Sequence, residues 1–313
     1  MGRYLLVDGG QTGCRIVYSV DGEEVASGGG TGLSRQDRDR AQGLQDALER
    51  AFTGIEPRPD AVDVIVAGMT GFDGSSETAR TLADGLRRLV RTGRVIVTND
   101  AVTSYLGAVG FEPGVVVAAG TGLIALAADT NGNFARSDGW GYILGDDGGG
   151  YYVGRRGLAS ALRAHDGRGG SLDLKHRAEK LFGTPEQVKQ HVYGASNPAG
   201  EVAGFAPQVA EAAREGDPVA REIWADAARE ASLAATSALH RVLGPGSPAT
   251  VSWTGNLFKA RDLFLEPFKH HVAASWPAAR LRDPRGEALH GAESLARIGQ
   301  TSMFDSLTHV FEQ

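Results

Sequence analysis

Two stretches of this chain follow one plan, and that repetition limits the fold more than any single motif does. LLVDGGQTGCRIVYSVDGEEVASG begins at Leu5 and VVVAAGTGLIALAADTNGNFARSDG begins at Val115. Each reads as an apolar strand, a Gly/Thr turn, a second apolar strand, an X-Gly hairpin and a third strand. In the first copy the strands are Arg3–Val7, Cys14–Val20 and one near Glu24–Ser27, with Asp21-Gly22 as a type I′ hairpin signal. In the second copy they are Val115–Ala119, Leu123–Ala128 and Phe134–Ser137, with Asn131-Gly132 at the hairpin. A length of 313 residues fits two domains. Two similar α/β halves, each offering a glycine turn, suggest a cleft between them.

The rest of the chain supplies helices and parallel strands. Ser34 with Asp37 resembles a capping box opening a helix through about Phe52. Val62–Ala67 reads as a buried strand, and Ser76–Val90 as a helix with Leu82, Leu86 and Leu89 on one side. Arg94–Thr98 is a strand ending at Asn99-Asp100, before a short helix Ala101–Val109. Beyond the second copy, Tyr151–His165, Leu172–Phe182, Ala206–Glu215 and Pro218–Leu243 carry helical spacing. Ala249–Trp253 is a strand leading to Thr254-Gly255-Asn256, with a helix from about Leu257. Glu287–Ile298 is a helix, and the tail to Gln313 is expected to be helical too.

Composition excludes several classes of function. The single cysteine, Cys14, rules out a disulfide framework, a four-cysteine zinc site and a self-contained iron–sulfur ligand set, and fits a reducing cytosol. The histidines match no zinc spacing. A net charge of −6 argues against nucleic acid as partner. No stretch approaches the roughly 20 apolar residues that span a bilayer, and no signal peptide is evident. The expected location is therefore cytoplasmic, with no membrane partner. The 44 glycines form no periodic tract but gather at strand ends, where backbone can approach a ligand closely.

Five segments carry chemistry. DGGQTG places backbone N–H donors, a hydroxyl and the Asp8 carboxylate on one tight turn. The donors suit phosphate oxygens and the carboxylate suits Mg²⁺ or its waters, although a bulged hairpin explains the same letters. AAGTG, with Gly120-Thr121-Gly122, also reads as a hairpin when taken alone, but it falls at the matching place in the repeat. VTNDA sets Asp100 at the carboxyl end of a buried strand, where open α/β sheets bind ligands, and where Asn99 or Asp100 can equally cap the helix. GWGYILGDDGGG joins Trp140 and Gly141 to Asp146-Asp147, as in a sugar-binding loop entering a helix. Acidic residues before a helix also favour its dipole without any ligand. Gly255-Asn256 suits close approach to adenine or ribose, or a plain capped βα turn.

In this order, LLVDGGQT, VTNDA, VVVAAGTG, GWGYILGDDGG, VSWTGN and EALHGAESLA resemble the N-acetylglucosamine kinase and BadF/BadG/BcrA/BcrD ATPase family of the actin–hexokinase–Hsp70 superfamily. The likeness implies an α/β fold of two RNase H-like, actin/hexokinase-type domains with an interdomain cleft. Residues 1–112 plus about 288–313 would form one domain and 113–287 the other. It implies ATP binding by Gly9, Gly10, Gln11 and Thr12, by Gly120, Thr121 and Gly122, and by Gly255 and Asn256. Asp8 would hold Mg²⁺ through water, Asp100 would be the catalytic base, and Ala288–Ala292 would lie in a connecting element. The sugar would meet Asp100, Thr121, Gly122, Trp140, Gly141 and Asp146, and the enzyme would be a homodimer.

Two departures bear on the sugar: Leu123 stands where Ser is usual after GTG, and Gly30-Thr31-Gly32-Leu33 lacks the usual Asn. The leading expectation is an ATP-dependent kinase of N-acetylglucosamine or glucosamine. The alternatives are an ATPase that activates a partner enzyme, which would need cluster cysteines beyond Cys14, and a non-catalytic sugar sensor.

Overall fold

The computed structural model describes residues 2–10, 13–31, 40–72, 74–299 and 302–312. Gln11, Thr12, Gly32, Leu33, Ser34 and Asp37 lie outside the described residues, and with them the expected capping box. The chain opens with β1 (Arg3–Gly9), β2 (Gly13–Val20), β3 (Glu23–Thr31), α1 (Arg40–Thr53), β4 (Ala61–Met69), α2 (Ser76–Leu89), β5 (Arg91–Asn99) and α3 (Asp100–Ala108). Then come β6 (Gly114–Ala119), β7 (Leu123–Ala128), β8 (Phe134–Asp138) and the helices α4 (Gly150–His165), α5 (Leu172–Phe182), α6 (Pro185–Gly194), α7 (Pro198–Ala203), α8 (Ala206–Glu215) and α9 (Pro218–His240). The chain closes with β9 (Ala249–Thr254), α10 (Glu266–Ser275), β10 (Ala279–Leu281), α11 (Ala288–Ile298) and β11 (Thr308–Glu312).

These elements form two compact units. One comprises Met1–Pro113, Ala128–Phe134 and Asp283–Gln313, and the other Gly114–Ala127 and Ala135–Arg282. Each unit is built on one sheet. The first has the order β11-β5-β4-β1-β2-β3 and the second β10-β9-β6-β7-β8. Without β11, both sheets run third, second, first, fourth, fifth in order of appearance, which is the repeat seen in the sequence. The fourth strand is parallel to the first in each sheet, β4 on β1 and β9 on β6, and the fifth is parallel to the fourth.

Local chemistry explains the hairpin of the first copy. Asp21 and Gly22 both take positive φ, 54° and 97°, as a type I′ turn requires, and β2 pairs antiparallel with β3 from Val20↔Glu23 onward. In the first unit Leu5, Val7, Ile65, Val95 and Val97 join Leu48 and Phe52 of α1 and Leu82 and Leu86 of α2 in one core. The alternate residues Leu6, Val66 and Ile96 are buried as well, because α3 and α11 pack together against the sheet. Strands covered on both faces read as unbroken apolar runs. In the second unit Val115, Val117, Leu123 and Ala125 pack with the small stripe Ala227, Ala228, Ala231 and Ala235 of α9.

Several expected elements differ. The C-terminal tail is not an α-helix. Ser302–Leu307 forms a short 3₁₀ turn and β11 pairs antiparallel with β5. Its apolar residues Met303, Phe304, Leu307, Val310 and Phe311 suit helical spacing, but β5 offers an open edge that a strand satisfies. After β9 comes a 3₁₀ turn at Asn256–Lys259 and a π-type turn at Arg261–Leu265, so α10 begins later than the sequence suggests. No helix among the described residues is long and apolar enough to cross a membrane.

Candidate functional site

In the first unit the parallel strands end in step. Gly9 of β1 lies opposite Met69 of β4, and Met69 opposite Asn99 of β5. That register brings Asp8 and Asp100 to one edge of the sheet. The two capping readings of Asn99-Asp100 resolve cleanly. Asn99 is the cap: its Oδ1 accepts from the Ala101 N–H at 2.9 Å and its Nδ2 donates to the Phe72 carbonyl at 2.7 Å. Asp100, in the first turn of α3, is released from that duty.

Its carboxyl is little hydrated, and the carboxylate of Asp8 faces it. Burial first and Asp8 second push the Asp100 pKa up to about 6, opposed by a hydrogen bond from the Thr70 hydroxyl and by the Ala101 N–H. Thr70 is placed by its own N–H, which donates to the Gly9 carbonyl at 2.7 Å. The sequence reading missed Thr70; its signal was the MTG turn at the end of a buried strand. Asp8 is likewise raised, by burial and by the negative charge of Glu287, while Arg15 opposes both. Arg15 sits across from Asp8 in the β1–β2 register, with its guanidinium 3.3 Å from Glu24 and 3.8 Å from Glu287. Carboxylates outnumber cations here. Gly10 closes the turn by donating to the Gly13 carbonyl at 2.8 Å.

In the second unit the Gly120-Thr121-Gly122 turn is fastened to the start of α4. The N–H groups of Gly150 and Tyr151 donate to the carbonyls of Gly120 and Thr121, both at 2.8 Å. Among the described residues, nothing accepts from the N–H of Thr121 or Gly122. Asp146 packs so tightly on Gly122 that a Cβ there would overlap its carboxylate, and its Oδ1 accepts from the Gly141 N–H at 3.1 Å. Gly120, Thr121, Gly122, Gly141 and Asp146 are thus brought together. Trp140 points outward, 66% exposed, with the Arg136 guanidinium 4.2 Å from its ring centroid.

Gly255, at φ 102°, lies where any side chain would strike the Ala119 carbonyl, and Asn256 is exposed beside it. Leu123 is 2% exposed and belongs to the core of this unit, so it does not face a sugar. It opens β7, and its side chain falls on the packed face of the sheet. Among the described residues no group of three or more His, Cys, Asp or Glu could hold a metal by itself.

Known proteins resemble this chain. The chain is 25% identical over 256 residues to an N-acetylmuramic acid/N-acetylglucosamine kinase of Clostridium acetobutylicum, covering 81% of this chain and 83% of that protein. It is 26% identical over 254 residues to an N-acetyl-D-glucosamine kinase of Dictyostelium discoideum, covering 80% of each. A solved Chromobacterium violaceum protein, assigned as an N-acetylglucosamine kinase, superposes with a TM-score of 0.74 at 28% identity over 95% of this chain and 99% of its own. Residues 6–292 match the family profile, and the chain belongs to the BadF/BadG/BcrA/BcrD ATPase family.

Proposed function

We propose that this protein is an ATP-dependent kinase that moves the γ-phosphoryl group onto a hydroxyl of an amino sugar of the N-acetylglucosamine or glucosamine class. The observation that carries the proposal is Asp100: a desolvated carboxylate, relieved of capping by Asn99 and poised near 6, at the carboxyl end of a parallel strand. Kinase activity in the relatives from Clostridium acetobutylicum and Dictyostelium discoideum supports the same reading.

Phosphoryl transfer passes through a loose transition state, so positioning and charge neutralisation do most of the work. The sugar oxygen forms a bond to the γ-phosphorus as the bond from that phosphorus to the β,γ-bridging oxygen breaks. Asp100 orients the attacking hydroxyl and takes its proton late. The unclaimed amides of Thr121 and Gly122 suit phosphate oxygens, and Gly9, Gly10, Gln11 and Thr12 would serve the phosphates from the first copy. Gly255 and Asn256 serve the adenosine, and Trp140, Gly141 and Asp146 the sugar. Asp8 would hold Mg²⁺ through water, and the ion would neutralise phosphate charge when bound. The excess of carboxylate around Asp8 fits that cation. As part of this reading the enzyme acts in the cytoplasm as a homodimer.

An ATPase that activates a partner through a shared cluster finds no support. Cys14 is 3% exposed within β2, and burial and Asp8 push its thiol up to about 12, so no thiolate is offered. ADP release measured with N-acetylglucosamine, glucosamine, N-acetylmannosamine, N-acetylmuramic acid and glucose tests the proposal. Release that requires an amino sugar supports it, and release indifferent to every sugar ends it.

A further inference from the structure

Three described residues other than glycine have positive φ: Asp21, Asp138 and Asp146. Asp21 sits in the β2–β3 hairpin, where the turn type demands it. The other two, at 61° and 62°, open and close one loop of the second unit. Left-handed backbone is strained for a residue with a Cβ and persists only where its surroundings over-determine it. Here the surroundings are the two aspartates themselves. Asp138 Oδ1 accepts from the Asp146 N–H at 2.7 Å and Oδ2 from the Asp147 N–H at 3.0 Å, with the Trp140 N–H at 3.5 Å from Oδ1. Asp146 Oδ1 takes the Gly141 N–H, and the Gly141 carbonyl accepts from Leu144 at 3.0 Å and Gly145 at 2.9 Å. The first carboxylate of the loop therefore grips its last residues, and the last carboxylate grips its first. Trp140, Ile143 and Leu144 are displayed on a fixed turn although they are 66, 78 and 82% exposed.

We propose that Asp138 is a positioning residue that holds this loop preformed, setting Trp140 and Asp146 before the sugar arrives. The inference rests on the reading that those two residues meet the sugar; Asp138 itself touches no substrate. A preformed loop spares binding the cost of ordering it. Loss of the latch should therefore appear in the sugar KM, and leave both the KM for ATP and the acidic pH limb set by Asp100 in place.

Tryptophan emission reads the loop directly. Trp224, Trp253 and Trp276 are only 3, 5 and 2% exposed, so acrylamide quenching reports chiefly on Trp140. Three variants separate the causes. Asp138→Ala removes the acceptor, Asp138→Gly removes it and relieves the positive φ, and Asp138→Asn tolerates the φ and keeps one acceptor oxygen. In the full-length protein without sugar, the Ala and Gly variants should show altered quenching. Their sugar KM should rise about tenfold or more, as for a lost charge-assisted hydrogen bond, with the KM for ATP within about twofold of native. Asp138→Asn should lie between, and its retained fold guards against simple misfolding. Native quenching in Asp138→Gly overturns the proposal whatever the KM. Altered quenching with a native sugar KM also overturns it, and removes Trp140 and Asp146 from the sugar while leaving kinase activity untouched. Absence of any sugar-dependent ADP release in the native protein would instead strike the proposed function alone.

Discussion

Replacing Asp100 by Asn separates two consequences of one environment. Burial and the facing Asp8 hold this carboxyl at about 6, against 3.8 for an ordinary Asp. A carboxyl with a raised folded-state pKa binds its proton more readily in the folded protein than in the unfolded chain. Between pH 3.8 and about 6 stability therefore falls as pH rises, and above about 6 the ionised group exerts its full penalty. The interval from 3.8 to about 6 corresponds to roughly 3 kcal/mol. A carboxylate in the first turn of α3 gains about 0.3–1 kcal/mol from the helix dipole, which offsets part of that. Asn matches the shape, still accepts from the Ala101 N–H, and cannot ionise. Asp100→Asn should therefore be more stable than the native protein by about 2 kcal/mol near pH 7.5, worth roughly 4–8 °C in midpoint for a unit of this size. The two proteins should converge below about pH 3, where both side chains are neutral in either state. Turnover should meanwhile fall about 10²–10⁴-fold, the range for losing an acid–base group. Calorimetry across the pH range and ADP release at saturating substrates measure both effects. An equal or lower midpoint near neutrality, or a gap that ignores pH, would refute the electrostatic argument, and native turnover would remove Asp100 as the base.

Thr70→Val takes away a hydroxyl that lowers the Asp100 pKa, so the acidic limb of the kcat/KM profile should move to higher pH; an unmoved limb would detach Thr70 from the base. Gly255→Ala forces a side chain into left-handed backbone against the Ala119 carbonyl, and should cost about 1–3 kcal/mol of stability and weaken ATP binding, read by denaturation and ATP titration. Leu123→Ala should cost about 2–5 kcal/mol, as for other buried leucines, yet leave the ranking of sugars by kcat/KM unchanged. A reordered ranking would put Leu123 back beside the substrate.

The repeated three-strand plan was legible because each copy is local: an apolar run, a turn residue and another run lie within about 25 residues, the range over which period-2 patterns are reliable. What the letters could not settle was competition between elements distant in sequence. Met303, Phe304, Leu307, Val310 and Phe311 suit a helix as well as a strand, and the open edge of β5, some two hundred positions earlier, decides for the strand. β10 has three residues and leaves no periodic signal at all. Within the site, the carboxylates and glycine turns stood out as residue types at strand ends, but their partners did not. That Asn99 caps and Asp100 does not depends on Phe72, which receives the Asn99 amide from a turn after another strand. Whether Leu123 lines the pocket was open for the same reason. Position beside a glycine turn does not say which face of β7 a side chain takes, and the alternation here sends it into the core.

The two copies also differ chemically where they match geometrically, and that difference bears on function. In the first sheet, the first and fifth strands lead to carboxylates, Asp8 in β1 and Asp100 just after β5. In the second sheet the residue before the glycine turn is Ala119, the fourth strand leads to Gly255, and the fifth ends at Leu281 before Arg282. No carboxylate stands at those three strand ends. One set of strand ends therefore suits a cation and a proton, and the other, with the open amides of Thr121 and Gly122, suits phosphate oxygens. The crossover from third to fourth strand diverges too: α1 alone among the described helices of the first unit, α4 through α9 in the second. That longer crossover supplies the loop from Asp138 to Gly149, which carries Trp140 and Asp146. Under the proposed function, the acid at one set of ends would serve as base, the amides at the other would meet phosphate, and the loop of the second unit would meet the sugar, the three things a sugar kinase requires of its protein.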